Sequence, residues 1–438
     1  MRTTWTAVLL SFKRMGRKRS LANDASINSS ADTAGIVPPE RGQSHEPIRL
    51  RILHFAFEEL GQPDSGGGAI RTFEINRRLA SHHQITVVAR RYPGARRHIE
   101  DGIEYRYLGV ASKRLGRLPS IVSYHLAVPI FALCHRADLV VEDFAPPMSS
   151  VALPLFARDP TIAVVQWLFA RETSQKYRVP FFLAESFGVR RHRHFVAVSG
   201  YIAAEISRRN PTAAVTIAYA AAADELRDVG PWPERRRELL YLGRLQLVEK
   251  GLDLLLAAFA VVAERDQDVR LVFAGDGYDS DVVKRLVSEL GLSTRVDFVS
   301  RIEGDEKREY LRRAMAVVIP SRFESFGLVA VEALASATPV VGFSLPSLLE
   351  IVTPECGILV TPFDTNAFAA ACLAVLDEPQ LRVRMGAAGL ARSKRFNWEE
   401  AATRQEAAYL VAAGKAATAL SAPSLGSPII NDDQSPGA

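Results

Sequence analysis

Two carboxylates, Glu324 and Glu332, stand in the stretch PSRFESFGLVAVEALASATPVV (residues 320–341), where almost every other position is apolar. Glu332 is the single charge between Ser325 and Leu349. A carboxylate in such surroundings costs several kcal/mol unless something pairs with it. On one continuous helix an offset of eight leaves the two groups roughly 80° apart around the axis and about two turns apart along it. A helix beginning near Gly327 instead puts Glu324 in a loop and Glu332 in the second turn, where they can hold two parts of one extended ligand. Phe326, Gly327 and Leu328 then offer backbone N–H groups at the helix start, suited to phosphate oxygens. The competing readings are a capping carboxylate for Glu324 and a buried salt bridge for Glu332.

Two cations occur at a comparable position upstream. Gly243, Arg244 and Leu245 end an apolar run, and Lys250 and Gly251 precede a helical pattern. Cations at a strand end and a helix start can neutralise a diphosphate, with the helix N-terminus adding partial positive charge. The spacing is not that of a nucleotide P-loop, which needs Gly-Lys followed by Ser or Thr. Solvated surface charges are the alternative for both. Asp266 and Asp268 form an Asp-Gln-Asp triplet, but it precedes a strand in a charged stretch and reads as a solvated loop. No metal-ligand cluster is visible, and Cys134, Cys356 and Cys372 have neither metal spacing nor an even count, which fits a reducing cytoplasm.

These groups need a scaffold that brings strand ends together. LRILHFAF, a loop with Gly66, Gly67 and Gly68, a helical pattern through Ile70, Phe73, Ile75 and Leu79, and QITVVAR read as the opening of a βαβ unit. DLVVEDF, TIAVVQW and HFVAVS continue it, the last leading into a helix begun at Ser199. A second series runs from ELLYLGR through a helix at 252–263, VRLVFAGDG, a helix at 282–290, RVDFVS, a helix at 307–314, AVVIPS and PVVGF. The expected fold class is α/β, two doubly wound Rossmann-like domains facing a central cleft. Ligands of such sheets bind at the carboxyl ends of the strands. The expected boundaries are an extension over 1–46, a first domain over 47–225, a linker over 226–236, a second domain over 237–396, a segment over 397–414 that the resemblance described below makes a helix returning to the first domain, and a tail over 415–438.

The 438 residues suit two such domains, and 48% hydrophobic with 24% charged residues is the composition of a globular protein. No apolar run reaches the roughly 18 residues of a membrane span. The net charge of +5 is uneven: about 24 Lys and Arg face 17 Asp and Glu over 47–228, against about 23 and 28 over 229–438. No nucleic-acid motif accompanies the basic half, so nucleic acid is not an expected partner. Arg190, Arg191 and Arg193 beside FFLAESFG permit peripheral contact with the cytoplasmic face of a membrane.

Together Pro320, Ser321, Glu324, Phe326, Gly327, Leu328, Glu332, Ala333, Ala335, Pro339, Val340 and Val341 resemble the signature of family 4 glycosyltransferases, retaining enzymes of the GT-B fold that use nucleotide sugars. YLGRLQLVEKGLDLLLAAF, LVFAGDG, GGGAIRTFEINRRLA and RFNWEEAATRQEAAYL are similar to further motifs of that family, in the same order, over roughly residues 49–412. The resemblance implies that Gly243, Arg244 and Lys250 meet the donor pyrophosphate and that Glu324 holds the donor sugar, with Ser325, Phe326, Gly327 and Leu328 completing the loop. It gives Glu332 the ribose hydroxyls, the neighbourhood of Ser300, Arg301 and Ile302 the base, and Gly67, Gly68 and Gln166 the acceptor side. Catalysis would rest on Glu324, Arg244 and Lys250, without metal or cofactor. The donor would be a UDP- or GDP-sugar and the acceptor a glycan, a lipid-linked molecule or a small molecule, in the cytoplasm or at the inner membrane face.

Four positions depart from the family pattern. Gln166 and Trp167 stand where the family usually has His, and Gln cannot act as a base near neutral pH. Pro346 and Ser347 replace a Gly-Gly ahead of Glu350, a linker Asn-Gly is absent from IAYAAAADEL, and Ala337 replaces a common Gly. A sugar-nucleotide-binding protein without turnover is therefore the second reading. A phosphorylase or epimerase of the same fold is less supported. A nicotinamide dehydrogenase is the weakest reading, because no G-x-G-x-x-G is followed by a ribose-binding acid.

Overall fold

A computed structural model describes residues 48–62, 65–111, 117–146, 153–171, 174, 178–227 and 234–415. The expected extension over 1–46, most of the tail and the centre of the expected linker lie outside these residues.

The first series of apolar runs folds as β1 (Arg51–Phe55), α1 (Gly67–Leu79), β2 (Gln84–Arg90), β3 (His98–Glu100), β4 (Ile103–Leu108), α2 (Arg117–Cys134), β5 (Leu139–Phe144), α3 (Leu153–Phe156), β6 (Thr161–Val165), α4 (Phe181–Arg191), β7 (His194–Ala197), α5 (Gly200–Arg209) and β8 (Ala214–Ile217). The eight strands form one sheet in the order β3-β4-β2-β1-β5-β6-β7-β8. All pair in parallel except β3, an antiparallel edge strand. The strands β5 and β6 are Val-rich and buried over nearly their whole length, as strands covered on both faces must be.

The second series gives β9 (Glu238–Leu242), α6 (Leu252–Arg265), β10 (Arg270–Ala274), α7 (Ser280–Glu289), β11 (Val296–Val299), α8 (Gly304–Arg313), β12 (Ala316–Ile319), α9 (Leu328–Ala335), β13 (Val340–Phe343), α10 (Pro346–Leu349), β14 (Gly357–Val360), α11 (Thr365–Asp377), α12 (Pro379–Ser393) and α13 (Trp398–Ala412). Its six strands form a parallel sheet in the order β11-β10-β9-β12-β13-β14. Both orders reverse direction once, at β1/β5 and at β9/β12. At such a reversal the connections leave in opposite directions and open a crevice beyond the strand ends.

The last helix crosses back to the first sheet, where it packs on α1 and on β6, β7 and β8. Arg71 of α1, buried, donates to the carbonyl of Ala218 (3.0 Å) and to Gln405 Oε1 of α13 (2.7 Å). Burial holds its pKa down to about 10, so the guanidinium stays charged at neutral pH. The Gln405 amide in turn donates to the Tyr409 hydroxyl (2.6 Å), and His83 Nε2 sits 3.0 Å from Glu406 Oε1. Asp266 differs from its expected solvated state: its carboxylate accepts from Arg237 Nε (2.6 Å) and from the Asp268 N–H (3.0 Å), and it closes a loop. Among the described residues no helix is long and apolar enough to cross a membrane.

Candidate active site

Gly67 and Gly68 follow β1, Arg244 and Lys250 follow β9, and Glu324 follows β12, strands at the two reversals, while Gln166 and Arg301 follow β6 and β11 of the same sheets. Beyond β9 the chain turns at Gly243 (φ +150°), and the Tyr241 hydroxyl donates to the Arg244 carbonyl (2.7 Å) to hold the turn. Burial and nearby Glu324 push the Tyr241 phenol well above the usual range, so it remains a donor. Arg244 reaches to the first domain: a Cβ added at Gly66 would sit 3.6 Å from its guanidinium carbon. Among the described residues Arg244 has no carboxylate partner.

Lys250 and Glu324 meet because two loops touch backbone to backbone. Gly251 (φ +63°) comes so close to the chain after β12 that a Cβ there would overlap the Pro320 carbonyl. Arg322 reinforces the approach with two bonds to Asp253, each 2.7 Å, and its N–H donates to the Glu249 carbonyl (3.1 Å). Lys250 Nζ donates to Glu324 Oε1 at 2.6 Å, and Ser321 Oγ donates to the same oxygen at 2.8 Å. Glu324 is thus side-chain paired rather than a helix cap.

The helix α9 begins at Leu328 behind Gly327, whose φ of +113° is the left-handed region that excludes most side chains. A Cβ at Gly327 would also lie 2.6 Å from Leu348 Cδ2. The N–H groups of Phe326, Gly327 and Leu328 make no hydrogen bond among the described residues. The loop before them is fastened from both domains: Ser199 Oγ donates to the Ser325 carbonyl (2.6 Å), and Ser347 Oγ to the Glu324 carbonyl (2.7 Å). Pro346 opens the short α10, so the Pro-Ser pair supports the loop under Glu324. Glu350 accepts from the N–H groups of Gly200 and Tyr201 (both 2.7 Å) at the start of α5, tying the two domains together.

Glu332 lies in the second turn of α9, buried, and accepts from Lys307 Nζ of α8 at 2.7 Å. The salt-bridge reading of this residue is therefore structurally present. It occupies one carboxylate oxygen. Arg301 extends across the cleft, donating from Nη1 to the Ser65 carbonyl (3.1 Å), while its Nε lies 2.6 Å from Glu303 Oε1.

On the first-domain side Gly67 and Gly68 face this set. A Cβ at Gly67 would lie 3.4 Å from Leu328 Cδ2, and one at Gly68 would lie 3.2 Å from Gln166 Oε1. Gln166 follows β6, and its Nε2 donates to Asp143 Oδ1 (3.1 Å) and to Thr72 Oγ1 (3.0 Å). Thr72 Oγ1 in turn donates to Asp143 Oδ2 (2.9 Å), and His54 Nε2 sits 3.2 Å from Asp143 Oδ1. A carboxylate only accepts, so Asp143 fixes the amide with its nitrogen inward and its oxygen toward Gly68. The group Gln166 presents is an acceptor.

The structure thus gathers Gly67, Gly68, Gln166, Arg244, Arg301 and Leu328 about one cleft, pairs Lys250 with Glu324, and pairs Glu332 with Lys307. Sequence reasoning did not single out Ser65, Thr72 or Asp143, and it named Ser199 only as the start of a helix. Asp143 left a trace, since a charged pair inside the strand LVVEDF demands partners; Lys307, in the charged run GDEKREY, left none.

Comparison with known proteins bears on the fold and on one segment of the sequence. Residues 222–392 match the family described as glycosyl transferases group 1. The chain is 34% identical over 194 residues to a glycogen synthase of Mycobacterium tuberculosis, covering 42% of this chain and 47% of that one. It spans about half the length of the curated relatives it matches. Among solved structures, a sucrose-phosphate synthase from Thermosynechococcus elongatus superposes with a TM-score of 0.68 at 20% identity, over 82% of this chain and 98% of that one. Anabaena HepE, solved in complex with UDP and glucose, superposes with a TM-score of 0.63 at 18% identity, over 82% and 98%. The fold is that of GT-B glycosyltransferases, as the sequence led one to expect.

Proposed function

Taking residues 222–392 as a glycosyl transferases group 1 domain, we propose that the chain moves a sugar from a nucleotide-sugar donor, a UDP- or GDP-sugar, to a hydroxyl of a glycan, lipid-linked or small-molecule acceptor, with retention at the anomeric carbon. The observation that carries this reading is the convergence of Arg244 with the unbonded N–H groups of Phe326, Gly327 and Leu328, opposite a glycine loop with no side chains to fill the space. A cation beside free N–H groups at a helix start suits the oxygens of a diphosphate.

In this reading Arg244, Lys250 and the N–H groups hold the pyrophosphate, and Glu324 accepts from hydroxyls of the sugar. Glu332 uses its remaining oxygen for a ribose hydroxyl while Lys307 keeps the other, and Arg301 borders the base. As the bond from the anomeric carbon to the phosphate oxygen breaks, its electron pair stays on that oxygen. Arg244 and Lys250 stabilise the growing charge, which supports transfer without a divalent metal. The acceptor hydroxyl attacks from the same face, and its proton goes to the departing phosphate oxygen. Gln166 does not titrate, so its part is to position: its fixed oxygen accepts from a sugar or acceptor hydroxyl. Gln166→Leu is expected to lower kcat/KM about tenfold, the worth of one such hydrogen bond; an unchanged kcat/KM in the transfer assay contradicts this role.

The test is a panel of UDP-, GDP- and ADP-sugars in EDTA, followed by proton NMR of slow donor hydrolysis and transfer. Release of sugar with its anomeric configuration retained is the expected result. Turnover that vanishes in EDTA and returns with a divalent cation contradicts metal independence, and an inverted first product contradicts retention. Donor binding without any turnover favours the second reading, a sugar-nucleotide-binding protein, which the non-titrating Gln166 supports.

A further inference from the structure

The first domain has a face that the donor site leaves unexplained. Along α2, Val122, Leu126, Ile130 and Leu133 are exposed, Leu126 at 68% and Ile130 at 64%. Their spacing is one helical stripe, opposite Tyr124, Val128 and Ala132, which pack into a core with Phe55, Phe57 and Val88. Residues 118–134 contain no Lys, Arg, Asp or Glu, so nothing on the helix itself solvates the stripe. Leu155 and Phe156 of α3 are exposed beside it, α3 being packed on α2. On α4 the exposed residues are Phe182, Leu183 and Phe187, and then Arg190 and Arg191.

The strand order makes these helices one layer. Successive connections β4 to β5, β5 to β6 and β6 to β7 step the same way along the sheet, so right-handed crossovers carry α2, α3 and α4 over the same face. The opposite face carries α1 and α13. Where α3, β6 and β7 meet the end of α13 there is a cavity of about 430 Å³ with Leu155 on one wall and Arg191, Arg193 and His194 on others. Its carboxylate, Asp159, is already neutralised by Arg136 at 2.9 Å.

Charge decides what covers this layer. Among the described residues Arg190, Arg191 and Arg193 have no ion pair, and Arg191 lies over the Phe187 ring at 5.1 Å. The carboxylate of α4, Glu185, is buried against Arg209. Two copies joined through this layer would set guanidinium against guanidinium, with no unpaired acid among the described residues of α2, α3 and α4 to meet them. An apolar stripe edged by unpaired arginines instead matches the headgroup boundary of an anionic bilayer, where the aliphatic side chains enter the acyl region and the guanidiniums meet phosphates.

We propose that the layer formed by α2, α3 and α4 docks on a membrane carrying anionic lipid, with headgroup phosphate at the cavity of Arg191 and Arg193. This does not depend on the donor reading. The full chain is sedimented with vesicles of phosphatidylcholine alone and with added phosphatidylglycerol. The expected result is partition onto the anionic vesicles that weakens with salt, and about tenfold or greater loss in both Leu126→Glu/Ile130→Glu and Arg191→Glu/Arg193→Glu. All four positions are solvent-facing, and unchanged melting and an unchanged circular dichroism spectrum are expected to show that the variants fold. No partition onto anionic vesicles, or partition indifferent to both double variants, overturns the proposal. So does a concentration-dependent dimer, seen by ultracentrifugation, that Leu126→Glu/Ile130→Glu dissolves, since a second copy would then be the occupant.

Discussion

Lys250→Met is expected to lower kcat for sugar transfer about a hundred- to a thousandfold, the usual consequence of removing one preorganised charge from a developing anion. The substitution keeps an unbranched apolar stem of four heavy atoms and deletes the charged nitrogen. Lys250 is partly exposed, and its bond to Glu324 is one of two that Glu324 Oε1 accepts, the other coming from Ser321. Loss of the pair should therefore cost about 1 kcal/mol or less of stability, as partly solvated ion pairs do. Separating the two readouts is the point: melting nearly unchanged, turnover nearly gone. A variant within threefold of the parent in kcat would reduce Lys250 to a surface cation that happens to neighbour Glu324.

Glu332→Gln is expected to weaken nucleotide-sugar binding by about ten- to a hundredfold, the worth of a hydrogen bond to a charged acceptor, with a smaller effect on kcat. The competing account gives Glu332 no task beyond Lys307, which it meets at 2.7 Å. Donor affinity separates the two accounts, because the contact with Lys307 is common to both. If Glu332 binds ribose, Glu332→Gln shifts the dissociation constant. If it is only structural, Glu332→Gln and Lys307→Met change at most the melting temperature and leave donor affinity as it was. The second outcome would remove Glu332 from the site.

Local pattern was legible in the sequence wherever period and punctuation agreed. The start of α9 behind Gly327 could be read from one glycine followed by an apolar run, and the strand ends carrying Arg244 and Glu324 followed from the alternation of strands and helices. The helix α2 was not readable in the same way. Its apolar residues run around the whole cylinder, Pro129 lies inside it, and no charge marks its outer face, so periodicity had nothing to contrast. The short β3 and β4 were missed because β4 carries charged residues on one side, Glu104 and Arg106, and β3 has only three residues.

The site's supports were less legible than its principals, for a physical reason. Ser199 and Ser325 are 126 residues apart in the chain, and Arg301 and Ser65 are 236 apart. No local propensity reports such pairs. The Gln166 amide illustrates the limit best: the residue was noticed as a departure, but which end of the amide faces the cleft is set by Asp143 on the neighbouring strand β5 and by Thr72 on α1, 23 and 94 residues away in the chain. Likewise Pro346-Ser347 was legible only as a departure from a Gly-Gly, and the structure gives Ser347 a hydrogen bond that fastens the Glu324 loop.

The most direct test of the central claim is calorimetric titration of the full chain with UDP, GDP and ADP, each compared in wild type and in Arg244→Ala/Lys250→Met. The account predicts that at least one of these diphosphates binds at a single site and that the double variant weakens it by about a hundredfold or more, with the fold intact by circular dichroism. Absence of binding by all three, or binding of equal strength in the double variant, would contradict a nucleotide-sugar site at Arg244, Lys250 and the start of α9.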